Sequence, residues 1–239
     1  MQKTLDKLKA AKPVTIVVVG DSISIDTPWT LGRKNWVGYL AEALWATYGD
    51  GLVTMINSSR CGNSSGQELQ RMEHSILRFK PDLTILSLGL GDTPSKSSEM
   101  ENSADRARQL ITAVQRSGSE VLVLTSTPIV YGYWDPLPPG ARSGEAFDTE
   151  GLATAWAARL TSVGHELGCV VVDHFSLWKK HRIPYKSEAS NPQGLRMRMG
   201  PDTVHPGPVG HMALFRDMAP VFGVPRYFPW EDVRDASLV

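Results

Sequence analysis

Neither sign of charge predominates in this sequence, which also has few cysteines and no long apolar run. The 239 residues contain 25 Lys and Arg against 25 Asp and Glu, so the formal net charge is zero. Nucleic acids and anionic membranes are usually bound through a basic surplus, and we expect neither as a partner. Two cysteines, Cys61 and Cys169, are too few for a disulfide scaffold or a four-thiolate zinc site. No apolar stretch approaches the length of a membrane span.

The sequence predicts neither a signal peptide nor a bound metal or cofactor. The segment Met1–Ala10 is polar and alternates in charge, without the apolar run of a signal peptide, which favours a cytoplasmic location. The spacing of the later histidines matches no metal-ligand signature, so we expect no metal and no cofactor. These histidines are His174, His181, His205 and His211.

Five short β-branched runs alternate with segments of helical periodicity. Continuous apolar runs of this length are typical of strands buried on both faces of a parallel sheet. The pattern predicts a doubly wound α/β fold with right-handed crossovers. The predicted strands are Val14–Val19, Leu52–Ile56, Leu83–Leu88, Val121–Thr125 and Cys169–Val172.

One domain is predicted over residues 1–239. Residues 131–149 contain too much Pro and Gly for a regular element and are interpreted as a loop insertion, of the kind that often borders a binding site. A last helix is predicted to begin near Pro208 and to end before Pro220. The tail 220–239 contains aromatic residues, and we expect it to pack on the body of the domain.

Three polar residues near predicted strand and helix ends have the chemistry of a serine hydrolase. Such an enzyme needs a nucleophile, a base and a carboxylate that orients the base. Ser22 follows the first predicted strand, where ligands gather in open parallel sheets, and Asp202 lies three residues before His205. The N–H groups of Ser22 and Gly62 are candidate donors to a developing oxyanion, because glycine permits close approach.

Each of these residues also has a purely structural interpretation. Ser22 can cap a helix at a strand–helix junction. His205 can bond to loop backbone, with Asp202 as a helix cap, and Gly62 can be a turn glycine.

Four blocks occur in order along the chain: Gly20-Asp21-Ser22-Ile23, Gly62, Gly89-x-x-Asp92 and Asp202-x-x-His205. Taken together, they resemble the SGNH/GDSL hydrolase superfamily over about Val14 to Met218. The resemblance implies a three-layer α/β/α flavodoxin-like fold with a five-stranded parallel sheet, and ester hydrolysis through an acyl-serine intermediate. It implies that Ser22 is the nucleophile, that Asp202 and His205 complete the triad, and that Gly62 donates to the oxyanion.

One position departs from the family pattern. The third block reads G-x-N-D in the family, where the Asn side chain is the third oxyanion donor, but this chain has Gly91 there. Losing such a donor costs about 3–4 kcal/mol of transition-state stabilisation. Asn63, directly after Gly62, is the predicted substitute, and the Gly91 backbone N–H is the second candidate.

Family-level analogy favours a short acyl ester, acetyl foremost, on a small-molecule or oligosaccharide substrate. The loops are polar and rich in Pro, which disfavours a long acyl chain. Asp21, Trp29 and Trp134 are predicted substrate contacts, although loop packing explains the two tryptophans as well. The oligomeric state stays open.

Other functions fit the same residues. An acyltransferase, a thioesterase or a lysophospholipase would use the same triad, and a non-catalytic sugar-binding homologue is the alternative that Gly91 suggests. A nucleotide site at residues 89–94 is disfavoured, since Asp92 would repel phosphate.

Overall fold

A parallel five-stranded sheet forms the centre of the computed structural model, which describes residues 1–25, 30, 32–127, 151–178 and 205–226. The strand order is β2-β1-β3-β4-β5, which is the flavodoxin-like order of a doubly wound sheet. The predicted α/β fold is therefore confirmed, and every predicted strand agrees within one residue at each end. The strands are β1 (Val14–Val19), β2 (Val53–Asn57), β3 (Leu83–Leu88), β4 (Glu120–Thr125) and β5 (Val170–Val172).

Helices cover both faces of the sheet. None of the helices within the described ranges is long and apolar enough to cross a membrane. Short 3-10 turns at Leu77–Phe79, Leu90–Asp92 and Ser97–Glu99 supplement them. The α-helices are α1 (Gln2–Lys9), α2 (Trp36–Tyr48), α3 (Ser65–Ser75), α4 (Met100–Arg116), α5 (Leu152–Glu166), α6 (His174–Trp178) and α7 (Pro208–Phe222).

Alternate side chains of β1 enter two separate hydrophobic cores. Ile16 and Val18 belong to the core that includes residues of α2 and α7, whereas Val17 and Val19 belong to the core that includes residues of α4 and α5. This follows from the two-residue period of a strand, which points successive side chains to opposite faces. The molecule thus has the three α/β/α layers expected.

The last helix is longer than predicted. It was expected to end before Pro220, but α7 continues through Pro220 to Phe222 and is closed by Gly223 in the left-handed conformation (φ 66°). Phe222 is fully buried, and the Tyr48 hydroxyl donates to its carbonyl at 2.7 Å. Because a proline in the final turn removes only one backbone hydrogen bond, packing of Phe222 outweighs that loss.

Two parts of the single-domain prediction concern residues outside the described ranges. The loop insertion at 131–149 lies wholly outside them, and only residues 220–226 of the predicted tail are described. Within that part Val224 is buried. The assignment of 1–239 to one domain stays a prediction.

Candidate active site

Ser22 and His205, which are 183 residues apart in sequence, meet at the carboxyl end of β1. The Ser22 Oγ lies 2.8 Å from the His205 Nε2. Strand β1 pairs with β2 on one side and β3 on the other, so Ser22 stands at the topological switch point where ligands bind in open α/β sheets. A hydroxyl and an imidazole at this distance can exchange a proton.

The turn that presents Ser22 is closed by the preceding aspartate. One Asp21 carboxylate oxygen, Oδ1, accepts a hydrogen bond from the Ile23 N–H at 2.9 Å, and the Ser24 N–H donates to the Asp21 carbonyl at 3.1 Å. Asp and Ser side chains commonly close tight turns in this way. The turn therefore holds Ser22 just beyond the strand end.

Asp21, which was predicted as a substrate contact, has its side chain inside the protein. Its side chain is buried, and a Cβ placed on Gly89 would approach its Oδ2 to 2.7 Å. Burial raises the pKa of this carboxyl, while the Ile23 hydrogen bond and the nearby His205 oppose the rise. Asp21 therefore stabilises the turn that presents Ser22 through its hydrogen bond with Ile23, from the buried side of that turn.

His211, one α7 residue near the site, carries no charge at neutral pH. Burial lowers its pKa to about 3, and the proximity of His205 lowers it further. Its side chain is 1% exposed and its Nδ1 has no hydrogen-bond partner within the described residues. His211 thus supplies a neutral neighbour to His205, which the sequence analysis did not anticipate.

The predicted oxyanion donors Ser22, Gly62 and Gly91 follow the strands β1, β2 and β3 in turn. Within the described residues, no hydrogen bond engages the N–H of Ser22, Gly62 or Gly91. Gly62 is exposed and adopts a left-handed conformation (φ 65°), which disfavours a residue with a Cβ. Free N–H groups of this kind are what an oxyanion requires.

The Asn63 side chain, which was predicted as the substitute oxyanion donor, is bonded to other parts of the protein. The side chain is buried, and its Nδ2 donates to the Glu68 Oε2 at 2.9 Å and approaches the Gly20 carbonyl at 3.5 Å. Both amide hydrogens are therefore directed into the protein.

Gly91 touches the segment between β2 and α3, residues 58–64, which we call the β2–α3 loop. A Cβ on Gly91 would overlap the Asn63 carbonyl oxygen and lie 3.0 Å from its carbon. Glycine is required here because backbone packs against backbone. This contact explains why a residue with a side chain does not fit in the third block of this chain.

A second buried carboxylate fixes the end of the β2–α3 loop. Asp92 accepts hydrogen bonds from the Ser65 N–H at 2.9 and 3.0 Å and from the Ser65 Oγ at 2.5 Å. Burial raises the Asp92 pKa to about 6, while the hydrogen bonds from Ser65 act in the opposite direction. Asp92 of the third block thus anchors the first residue of α3, where Ser64 and Gln67 form a capping box.

Three predicted site residues lie outside the described ranges: Asp202, Trp29 and Trp134. Conversely, sequence reasoning did not single out Glu68, which is fully buried beneath the β2–α3 loop. A carboxylate that falls on the inner face of α3, four residues after the capping serine, was the signal that could have drawn attention to it.

Comparison with known proteins shows the family of this chain. A sequence profile of the GDSL-like Lipase/Acylhydrolase family matches residues 18–213. An arylesterase of Vibrio mimicus is 28% identical over 109 residues, which are 46% of this chain and 52% of the relative. The match therefore spans about half the length of that curated relative.

Solved structures share the fold at low sequence identity. A catalytic mutant of Axe2, an acetylxylan esterase from Geobacillus stearothermophilus, has a TM-score of 0.68 and 16% identity, over 91% of this chain and 97% of that one. LAE5, an alpha/beta hydrolase from the metagenome of Lake Arreo, has a TM-score of 0.63 and 16% identity, over 89% and 96% of the two chains.

The fold is thus that of an SGNH-type hydrolase. The chain is a member of the GDSL-like lipase/acylhydrolase family, and so of a class of enzymes that hydrolyse carboxylic esters.

Proposed function

We propose that this protein is a serine esterase that removes short acyl groups, acetyl foremost, from a carbohydrate through an acyl-serine intermediate. The observation that carries the proposal is the 2.8 Å contact between the Ser22 Oγ and the His205 Nε2. It joins a hydroxyl to a base at the place in the fold where ligands bind.

In the proposed reaction the Ser22 oxygen attacks the ester carbonyl while its proton passes to the His205 Nε2. The imidazolium then protonates the leaving alcohol oxygen, and the acyl group remains on Ser22. His205 next takes a proton from water as the water oxygen attacks the acyl-serine carbonyl. The imidazolium returns this proton to the Ser22 Oγ as the bond between Oγ and the acyl carbon breaks, which releases the carboxylic acid and restores the serine. Asp202 is proposed to orient the imidazole and to stabilise its positive charge.

The oxyanion is proposed to accept hydrogen bonds from the backbone N–H groups of Ser22, Gly62 and Gly91. All three lack a hydrogen-bond partner among the described residues. The Gly91 N–H takes the place of the family's asparagine, because Asn63 directs its amide toward Glu68. Such donors stabilise the charge that develops in the transition state.

The acetyl-sugar assignment is supported by the related structures, since Axe2 is described as an acetylxylan esterase. Trp29 and Trp134 remain the proposed sugar-stacking residues. A non-catalytic sugar-binding role is the second candidate, favoured by Gly91 alone. The contact between Ser22 and His205 argues against it, because a binding module has no need of a paired nucleophile and base.

Hydrolysis of 4-nitrophenyl acetate, butyrate and octanoate, followed by acetate release from an acetylated xylo-oligosaccharide, tests the proposal. We expect turnover that falls with acyl length, that is lost in Ser22→Ala, and that is at least as efficient on the sugar. Acetate release confined to the nitrophenyl ester would remove the carbohydrate assignment. No turnover by folded wild type, and no covalent labelling by a fluorophosphonate, would leave the binding role.

Ser24→Ala is the matched control for Ser22→Ala. The Ser24 side chain is also buried behind the turn, and its Oγ has no hydrogen-bond partner within the described residues. Its replacement removes a neighbouring hydroxyl that takes no part in the proposed chemistry. We expect Ser24→Ala to keep activity within a few-fold of wild type.

A further inference from the structure

The β2–α3 loop carries a proposed oxyanion donor that cannot fix its own position. Gly62 has no side chain, is exposed, and lies in the left-handed region (φ 65°). The N–H of Gly62 makes no hydrogen bond within the described residues. Other groups must therefore hold this N–H in place, because donors act on an oxyanion only when they are preorganised.

Asn63, the next residue, is attached to two different parts of the protein. Its Nδ2 donates to the Glu68 Oε2 at 2.9 Å and approaches the Gly20 carbonyl at 3.5 Å. Gly20 lies two residues before Ser22 and its carbonyl also accepts the Arg60 N–H at 3.0 Å. One amide group thus joins the turn that presents the nucleophile to the loop that presents Gly62.

Glu68 is the fixed point of this arrangement. Its side chain is fully buried, and its Oε2 accepts from the Arg71 Nε at 2.7 Å. The Ser75 hydroxyl donates to its Oε1, and the Arg71 Nη2 donates to the Ser58 carbonyl at the start of the loop. The carboxylate therefore reaches both Asn63 directly and the beginning of the loop through Arg71.

Stability alone is a poor reason for burying this charge. A buried ion pair seldom exceeds the stability of a well-packed apolar substitute, because desolvation offsets the Coulombic attraction. Charged hydrogen bonds do, however, restrict direction and distance more than apolar contacts do. Here the charged hydrogen bonds of Glu68 and Arg71 restrict the backbone before and after Gly62, at Ser58 and Asn63.

We propose that Asn63, Glu68 and Arg71 are positioning residues that set the Gly62 N–H relative to Ser22 in the transition state. This inference rests on the proposed function and deepens it. None of the three touches substrate, and each acts through the β2–α3 loop. The arrangement also accounts for the buried amide of Asn63, which is unavailable as a direct donor.

Glu68→Gln is the discriminating variant. It keeps the shape of the side chain and an oxygen that can accept from Asn63, but it removes the charge that binds Arg71. We expect kcat on 4-nitrophenyl acetate to fall about tenfold, with KM within twofold, because misplacement of a catalytic group by about 1 Å costs up to a hundredfold. Asn63→Ala, which removes both hydrogen bonds, is expected to lower kcat about a hundredfold.

Thr84→Val is the matched control for loss of a buried hydrogen bond. The Thr84 Oγ1 lies 2.9 Å from the Ser119 Oγ, both side chains are buried, and the pair lies at the opposite end of the sheet. We expect this variant to lose stability while its kcat stays that of wild type. All variants are assayed well below their unfolding temperatures, with rates of fluorophosphonate labelling measured beside kcat.

The outcomes separate this inference from the proposed function. Wild-type kcat and labelling rate in folded Glu68→Gln and Asn63→Ala, with Ser22→Ala inactive, overturn the positioning role and leave the esterase. A loss of kcat in Asn63→Ala without a loss in Glu68→Gln also overturns the positioning role. It would mean that Asn63 acts as a direct donor, whose effect on kcat does not depend on Glu68. Absence of wild-type turnover and labelling overturns both. If Asn63→Ala does not fold, the kcat and KM of Glu68→Gln decide.

Discussion

Installing the family's asparagine at Gly91 is expected to lower activity, although it restores the amide side chain that the family has at this position. The Cβ of any residue at position 91 would overlap the Asn63 carbonyl oxygen and lie 3.0 Å from the carbonyl carbon and 3.6 Å from the Ser64 Cα. These are backbone atoms, which cannot move aside as the end of a flexible side chain can.

The β2–α3 loop is held on both sides of this contact. Asn63 is bonded to Glu68, and the Ser65 N–H and hydroxyl are bonded to Asp92. Relief of the overlap therefore requires the loop to shift on the order of 1 Å, since overpacking is relieved by backbone movement. Such overpacking costs about 1–3 kcal/mol of stability, and a 1 Å displacement of the Gly62 N–H costs up to about a hundredfold in rate.

An asparagine side chain that reached the oxyanion would be worth about a hundred- to a thousandfold in kcat. We expect Gly91→Asn not to gain this factor, because its first atom points at the Asn63 carbonyl. Both Gly91→Asn and Gly91→Ala should therefore lose about ten- to a hundredfold in kcat/KM for 4-nitrophenyl acetate. The shared loss would identify the Cβ, and not the amide, as the cause.

Gly51→Ala is the control, because no atom lies within 4 Å of its Cβ position and its φ is not in the left-handed region. It should change neither kcat/KM nor the unfolding temperature appreciably. A rise in kcat/KM for Gly91→Asn, with Gly91→Ala unchanged, would refute the reasoning. It would show that the loop yields and that the missing donor limits the enzyme.

Three further predictions concern stability and backbone conformation. Partial burial acts to raise the pKa of Glu120, but bonds from the Met1 ammonium (2.8 Å) and Thr4 outweigh it and lower the pKa to about 2. The resulting stabilisation is complete above the ordinary pKa near 4.5 and is lost as the pH falls towards 2. The difference in unfolding free energy between wild type and Glu120→Gln should therefore shrink as the pH falls over that interval. A difference that does not change with pH would contradict this. The pKa of His211 is lowered from 6.5 to about 3 by burial and by His205. The unfolded chain therefore binds a proton at this residue below pH 6.5, whereas the folded protein does so only near pH 3. The unfolding free energy should fall as the pH drops through this range, by about 2–3 kcal/mol at pH 4.5 relative to neutral pH. His211→Phe should flatten the dependence of the unfolding free energy on pH over this range, and an unchanged slope would count against the assignment. Gly62→Ala meets no atom within 4 Å but must adopt φ near 65°, which costs about 1–2 kcal/mol; we expect folded protein with reduced kcat, and wild-type kcat would show that this conformation is not needed.

The sheet was predictable because its sequence signal is strong and local. The run from Val14 has five apolar residues of six and the run from Leu83 has four of six. Runs of this kind that alternate with segments of helical periodicity are typical of a parallel α/β sheet. Helix α1 has no such signal, since only Thr4 and Leu8 of its residues are buried. Its N-terminus is held by Glu120, a residue 116 positions away that no local pattern connects to it.

The site was predictable to the extent that it depends on residue type and order. Ser22 and His205 could be paired from their places at a strand end and before a helix, and the structure brings them within 2.8 Å. The role of Asn63 could not be derived in this way. From the sequence alone, a polar residue beside Gly62 is equally consistent with an oxyanion donor and with a positioning residue. The direction of the Asn63 Nδ2 toward Glu68 is what favours the second role.

An oxyanion site built from backbone N–H groups alone has a consequence for how this enzyme tolerates substitution. On the proposed function, the donors of Ser22, Gly62 and Gly91 are present whatever side chains occupy the site, so no single side-chain deletion removes one. Activity is then sensitive to residues that move the backbone: Gly91 through the space it leaves open, and Asn63 and Glu68 through the bonds they make. Rate losses should therefore track displacement of the β2–α3 loop and not the polarity of the substituted residue. A comparison of kcat with the crystallographic position of Gly62 across the Gly91, Asn63 and Glu68 variants would test this relation, and equal rates in variants with displaced and undisplaced Gly62 would contradict it.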